Sequence, residues 1–197
     1  MSRKIFDILT SAGGVAVVIV LVIAGGLLTW GHNFVNSNVR DQLSQQQIYF
    51  PPAAAFAHAK AGTEITPSMI PTVSQYAGQQ MLTGQQAKVY ANNFIAVHLS
   101  EMPYGGVYSK ISSAAMAAPK NTQLTALKAT SFQGTTLRGL LLEAYAFSTV
   151  GSIMMWGAIA SFILAAFMAV LVGLGIWHAR RVTAEVPMLA GKMAAAA

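Results

Sequence analysis

Histidines and carboxylates are the side chains of this 197-residue sequence with the greatest potential for chemistry. Metal sites usually need such residues at compact spacing, as in HExxH, and acid–base catalysis needs two carboxylates held close together. No two histidines lie within five residues of one another, and the acids between the two apolar segments are well separated. These residues are His32, His58, His98 and His178, and Asp41, Glu64, Glu101 and Glu143. The spacing therefore favours packed or hydrogen-bonded side chains over ligands.

Sequence motifs of the common enzyme classes are absent as well. The chain has no GxxxxGKS phosphate loop, no GxGxxG after a predicted strand and no GxSxG nucleophile elbow. Because it has no cysteine, it cannot form a disulfide, a Cys-ligated zinc site, an iron–sulfur cluster or a c-type haem attachment. We therefore predict a protein that is not an enzyme, with no catalytic, cofactor-binding or metal-ligating residue. A tethered enzyme stays an alternative if Glu64, Glu101 or His98 meet in one cleft.

Two long apolar segments must position the rest of the chain. Only 9% of the residues are charged and 54% are hydrophobic, whereas a soluble domain carries about 25% charged residues. Residues 8–39 and 144–179 contain no Lys, Arg, Asp or Glu. About 20 apolar residues cross a bilayer as a helix. We therefore predict transmembrane helices over residues 11–31 and 151–178.

Aromatic and basic side chains mark the ends of these predicted spans. Trp156 and Trp177 are 21 residues apart, which is about 31 Å along a helix and matches the separation of two membrane interfaces. The predicted membrane-interface anchors are Trp30, Trp156, Trp177, Arg180 and Arg181. Arg3 and Lys4 precede the first span, and Arg180 and Arg181 follow the second. Because basic residues near a span favour the cytoplasmic side, both termini are predicted to be cytoplasmic. The length of the first span argues against a cleaved signal peptide.

This topology predicts an all-α protein of the plasma membrane with two transmembrane helices flanking an extracytoplasmic helical domain. Its parts are a cytoplasmic N-terminus (1–10), transmembrane helix 1 (11–31), an extracytoplasmic helical domain whose helices continue the spans (32–150), transmembrane helix 2 (151–178) and a cytoplasmic tail (179–197). The first helix is expected to continue beyond its span until Pro51 and Pro52 stop it.

The middle domain carries its own helix signals. Thr83 followed by Gln86 has the form of a capping box and predicts a helix over residues 84–100. A second helix is predicted over residues 107–118. Asn121 can cap a further short helix, after which the apolar pattern resumes and joins the second span.

A stripe of small residues gives the second span a candidate helix-packing face. A small residue recurs at every fourth position, at Gly157, Ser161, Ala165, Ala169 and Gly173. In lipid, helices associate through close backbone approach, which small residues permit. Either the first span or a partner helix could cover this face. Because Ala and Gly are common in the segment, chance is the competing explanation.

The charges make some functions improbable. No Asp, Glu, Lys or Arg lies within either predicted crossing, whereas pumps, ion paths and voltage sensors usually need one. The formal charge of +6 comes from dispersed residues, so we predict no nucleic-acid partner. Membrane lipids with anionic headgroups are the expected partners of the basic side chains.

Three segments resemble a known family. They are GGLLTWGHNFVNSNVRDQLSQQQIYFPP (25–52), TEITPSMIPTVSQYAGQQM (63–81) and TLRGLLLEAYAF (136–147). The chain resembles the actinobacterial two-span membrane proteins that include the mycobacterial respiratory supercomplex association factor. The resemblance implies a non-catalytic accessory subunit, without a cofactor of its own, beside cytochrome bcc and terminal cytochrome oxidase subunits of the respiratory chain. It supplies no catalytic residue to transfer.

The layout also fits another class of protein. Two spans around an exported domain are typical of an extracytoplasmic sensor or ligand-binding module. The 16 residues after Arg181 are too few for an output domain, so a sensor would need a separate signalling partner. The leading hypothesis is therefore the accessory subunit of the electron-transport supercomplex.

Overall fold

The computed structural model describes residues 3–181, and helices account for most of this range. It contains seven α-helices: α1 (Arg3–Gln45), α2 (Ala53–Phe56), α3 (Ile70–Val73), α4 (Gly84–Tyr90), α5 (Ala96–Glu101), α6 (Tyr108–Ala117) and α7 (Thr122–Arg181). A π-helical turn (Ala91–Ile95) joins α4 to α5, and 3₁₀ turns cover Pro67–Met69, Ser74–Tyr76 and Pro103–Gly106. Within this range there is no β-strand, only an isolated bridge between Tyr49 and Gln80. The predicted all-helical class is confirmed for the described residues.

Helices α1 and α7 are each long and apolar enough to cross a membrane. They have 43 and 60 residues, and a crossing needs about 20. Only 17% and 6% of their most apolar windows are buried. A core helix of a soluble protein would bury its apolar side chains, so this exposure favours lipid as the surrounding solvent. The part of the predicted cytoplasmic tail that follows Arg181 lies outside the described residues.

A local sequence signal sets the start of α7, whereas tertiary packing sets the end of α1. Asn121 caps α7, since its Oδ1 accepts hydrogen bonds from the backbone N–H groups of Gln123 and Leu124. From there α7 continues without a break to Arg181. By contrast, α1 ends at Gln45, before the prolines that were expected to stop it.

The early end of α1 has a tertiary cause. Phe50 is buried, and its N–H donates to the carbonyl of Gln79 at 2.9 Å. The N–H of Met81 donates to the carbonyl of Ile48 at the same distance. Pairing with the segment before α4 therefore holds residues 48–50 extended, and the helix cannot continue through them.

The chain forms two compact units, and both long helices contribute to each. The first comprises the described residues of 1–32 and 152–197, and the second comprises residues 33–151. The second unit has a buried core around which α1, α4 and α7 pack. Its fully or almost fully buried side chains include Leu43, Phe50, Met69, Val73, Met81, Ala87 and Leu141.

The capping box at the start of α4 is confirmed. The Thr83 hydroxyl accepts from the Gln86 N–H at 3.2 Å, and Gln86 Oε1 accepts from the Thr83 N–H at 3.1 Å. Gln86 is itself buried, so these bonds satisfy polar groups that water cannot reach. The predicted helix over 84–100 is present, with a π-turn in its middle.

Residues 102–142, comprising the turn before α6, α6 and the first third of α7, form what we call the α6–α7 hairpin. Ser131 is fully buried, and its hydroxyl donates to the carbonyl of Gly106 at 2.7 Å. Ile111 of α6 is fully buried as well. Gly106 has φ +66°, and a Cβ there would overlap the carbonyl of Leu99. Only glycine suits this close approach.

Candidate functional site

The most extensive candidate site is the surface along which α1 and α7 pack in the first unit. Glycines on one helix receive larger side chains from the other, as in Gly14 against Val172 and Gly25 against Phe162. The pairs are Ser11–Gly175, Gly14–Val172, Gly25–Phe162, Leu28–Gly157 and Gly31–Met154. The two residue numbers of every pair add up to between 185 and 187. A constant sum defines one antiparallel register, and we call this contact the α1–α7 seam.

Buried residues on α7 repeat at the interval that such a seam requires. Ala158, Ala165 and Ala179 are buried, and Val172 completes a spacing of seven residues. A seven-residue repeat keeps the contact facing a neighbouring helix that crosses at a shallow left-handed angle. Alanine at three of these four positions lets the two backbones come close, which is how helices gain dispersion contacts in lipid.

The predicted small-residue face only partly coincides with this seam. Ala165 is buried in it, and Gly157 and Ser161 are half-buried. Ala169 and Gly173 are exposed, and no atom outside the helix backbone approaches the Cβ position of Gly173 within 4 Å. Four residues turn a helix by about 40° more than a full revolution. Residues spaced by four therefore rotate away from the neighbouring helix along α7, whereas residues spaced by seven stay in contact with it.

The predicted interface anchors are exposed and lie at two levels of the helix pair. Trp30 and Trp156 are 67% and 72% exposed, and their residue numbers add up to 186, which places them at the same level of the antiparallel register. Trp177 stands 21 residues further along α7, with the Arg181 guanidinium 4.1 Å from its ring centroid. Arg180 is exposed beside them. Such rings and charges suit the two boundaries of a bilayer.

A contact between an acidic side chain and a histidine, which the sequence did not reveal, lies at the Trp177 end. Asp7 Oδ2 is 3.9 Å from His178 Nε2, and this carboxylate oxygen is buried without a hydrogen-bond partner. Thr10 and Ser11 help to line a cavity of about 240 Å³ around it. Asp7 stands near the N-terminus of α1, where the helix dipole favours a negative charge, and His178 stands near the C-terminus of α7. Their residue numbers add up to 185, so the antiparallel register of the seam brings them together.

Histidine 98, in the second unit, serves as a structural tie. Its Nδ1 lies 2.9 Å from the carbonyl of Phe94, and its Nε2 lies 2.9 Å from the carbonyl of Glu64. The ring therefore fastens α5 to the loop before α3. Tyr90 lies nearby, and burial together with the charge of Glu64 raises its pKa above the ordinary value.

The carboxylates considered for catalysis do not form a cleft with this histidine. His98 contacts the main chain of Glu64, while the side chains of Glu64 and Glu101 are exposed and line none of the described cavities. Among residues 3–181, no three His, Asp or Glu side chains group closely enough to hold a metal ion.

Two basic side chains bind α7 to the middle of the second unit. Lys88 Nζ donates to the Tyr145 hydroxyl at 3.2 Å and lies 4.5 Å from the centre of its ring. This hydrogen bond lowers the pKa of Tyr145. Arg138 Nη2 donates to Asn92 Oδ1 at 2.9 Å. Both basic groups are thus occupied within the protein.

A groove of about 390 Å³ lies between α1 and α7 in the second unit. Aromatic rings of Phe34 and Phe147 border it. Its polar side chains are Asn38, Gln42, Gln46 and Glu143. Its mixture of apolar walls and a few polar groups is typical of small-molecule sites. Sequence reasoning missed this groove because its residues come from segments a hundred positions apart.

Comparison of the chain with protein-family models, curated proteins and solved structures gives no match.

Proposed function

We propose that this chain is a non-catalytic accessory subunit of a respiratory supercomplex in the plasma membrane. It crosses the membrane twice with both termini in the cytoplasm, and residues 32–150 form its extracytoplasmic domain. Its helices pack against subunits of the cytochrome bcc complex and the terminal cytochrome oxidase and stabilise their assembly. Membrane lipids surround the rest of its apolar surface.

The observation that carries the proposal is the outward face of the helix pair. Large apolar side chains of α7 are more than half exposed, among them Ile163 (64%), Phe167 (60%) and Val170 (61%). Ala169 and Gly173 lie exposed on α7, where a further helix can approach closely. A surface of this kind suits a subunit that packs among other transmembrane helices.

The resemblance supports the identity of the partners. It covers the end of the first predicted span, the loop before α4 and the part of α7 that precedes the second span. The packing within each unit supports a scaffolding role, since the capping box, the His98 tie and the α1–α7 seam all serve to hold helices in place.

A purification tests this proposal. The tagged chain is isolated from the membranes of its own cells in a mild detergent, and the product is characterised by an optical spectrum and mass spectrometry. We expect haem absorbance together with bcc and oxidase subunits in a fixed ratio. Recovery of the chain alone, or with a signalling partner and no haem, would contradict the proposal.

Two substitutions separate the outward face from the seam. Ala169→Leu should reduce the haem recovered with the chain, because its larger side chain blocks a close helix approach. Val170→Leu is the matched control, since Val170 is already a large exposed side chain. Ala165→Leu should instead disturb the chain's own α1–α7 packing. If Ala169→Leu recovers as much haem as Val170→Leu, Ala169 does not contact a partner helix.

The groove beside Glu143 favours one alternative, an extracytoplasmic sensor or ligand-binding module without its own output domain. Its volume of about 390 Å³ and its four polar side chains suit a small ligand. If the purified chain binds a small molecule, Glu143→Gln should weaken that binding, and Glu101→Gln serves as the control. Co-purification of a signalling protein in place of haem subunits would favour this alternative.

A further inference from the structure

The charges of the second unit are concentrated in one part of it. Residues 33–101 contain three basic and three acidic side chains, which balance, whereas the α6–α7 hairpin contains four basic side chains and no acidic one. The four are Lys110, Lys120, Lys128 and Arg138. The net positive charge of this unit therefore comes from its hairpin.

Three of these basic groups are not used inside the protein. Arg138 donates to Asn92, whereas none of the three lysines forms an ion pair with a carboxylate of the described residues. Lys110 and Lys120 are exposed. An unpaired group of like charges raises the local potential and attracts a surface of opposite sign.

Apolar anchors accompany these lysines. The rings of Tyr108 and Phe132 contact each other at a centroid distance of 5.6 Å, yet Phe132 remains 55% exposed. Met116 is 68% exposed and Tyr104 is 50% exposed. Aromatic residues and methionine are enriched in protein interfaces, where they fill pockets of the partner.

The hairpin presents these groups on a fixed frame. Ile111 of α6 and Ser131 of α7 are fully buried, and the hydrogen bond from Ser131 to Gly106 holds the first turn of the hairpin. A surface that is already ordered loses little conformational entropy when it binds. This combination of charge, exposed aromatic rings and rigidity is typical of a protein interface.

We propose that the α6–α7 hairpin docks onto an acidic, water-exposed surface of a partner protein, with Phe132 and Met116 filling apolar pockets within that surface. The inference rests on the proposed function, because the partner is taken to be an extracytoplasmic part of the supercomplex. Charge complementarity identifies its chemistry: carboxylates that face Lys110, Lys120 and Lys128.

Two other occupants fit the hairpin less well. Lys128 lies 23 residues before Gly151 along α7, about 35 Å of helix, so the predicted second span begins far from it. Lipid headgroups at that boundary are too distant for the lysines to reach. A second copy of the chain would bring an equally positive hairpin, and like charges oppose such a contact.

The test compares two double variants of the full-length tagged chain. Lys110→Glu with Lys120→Glu reverses two hairpin charges, and Arg40→Glu with Lys60→Glu makes the same change on exposed residues of the balanced region. Haem recovery is measured at salt concentrations from about 50 to 500 mM, which shortens the screening length from roughly 14 to 4 Å. At low salt, we expect the hairpin variant to recover at least about threefold less haem than the unsubstituted chain. The control variant should recover as much as the unsubstituted chain.

The outcomes separate this inference from the proposed function. If the unsubstituted chain recovers no haem subunits, the proposed function fails. If it recovers them and the hairpin variant recovers as much, the docking inference alone is overturned.

Photo-crosslinking provides a second test of the docking inference: a photo-reactive amino acid replaces Met116 in the full-length chain. Capture of a partner peptide with net negative charge supports the inference, whereas capture of phospholipid or of a second copy contradicts it.

Discussion

Replacing Gly25 by alanine should weaken the packing of α1 on α7. A Cβ atom at this position would lie 2.8, 2.9 and 3.1 Å from Cζ, Cε1 and Cδ1 of Phe162, whereas carbon atoms pack best at about 3.5–4.0 Å. The ring would have to move by several tenths of an ångström within the seam. Gly26, the next residue, has no atom within 4 Å of its Cβ position.

The pair Gly25→Ala and Gly26→Ala isolates the seam contact. Both substitutions gain the same helix propensity, up to about 1 kcal/mol, so this gain cancels in their difference. What remains is the cost of inserting one carbon into a packed contact, about 1–3 kcal/mol. We expect Gly25→Ala to be the less stable variant by that amount.

Unfolding of the purified chain measures this difference. The protein in mild detergent is titrated with a denaturing detergent, and tryptophan fluorescence reports the separation of the helices. The pair Gly13→Ala and Gly14→Ala repeats the comparison nearer the N-terminus of α1. The Cβ position of Gly13 is open, whereas a Cβ at Gly14 would lie 2.5 Å from Val172. Equal stabilities within about 0.5 kcal/mol in both pairs would refute the proposed register.

Three further predictions follow from the contacts. Because the chain has no cysteine, Ser11→Cys with Gly175→Cys should give a disulfide on mild oxidation, seen as a gel shift, whereas Ser11→Cys with Gly173→Cys should not. Gly106→Ala should lower the free energy of unfolding by more than about 2 kcal/mol, because it adds both a left-handed alanine and an overlap with a backbone carbonyl. The raised pKa of Tyr90 means that the folded state holds this proton more tightly than the unfolded state, whose value is 10.0. Its stability contribution is full below pH 10 and is lost as the pH rises through the folded-state pKa, so Tyr90→Phe should flatten the fall in thermal stability above pH 10.

Much of the fold follows from local sequence. The uncharged stretches predict the two long helices, and the Thr83 and Asn121 caps lie where their patterns indicate. These features depend on a few neighbouring residues, which is why they are readable without a structure. The end of α1 is different, because a distant segment pairs with residues 48–50 and overrides the helical pattern.

The packing surface could be predicted only in part. The small residues of the second span are evident in the sequence, but their four-residue spacing drew attention to Ala169 and Gly173, which are exposed. The seam depends on register, and nothing local distinguishes Gly25 from Gly26 or Gly14 from Gly13. Only the position of the neighbouring helix does so. Register also brings Asp7 to His178.

If this chain is an accessory subunit of the supercomplex, purification of its proposed partners should recover it. The supercomplex is purified through a tag on a cytochrome bcc subunit, separated by size and analysed by quantitative mass spectrometry. We expect this chain to elute with the bcc and oxidase subunits in a constant, near-integer ratio. An intact supercomplex that lacks the chain, or a ratio that varies across the peak, would contradict it.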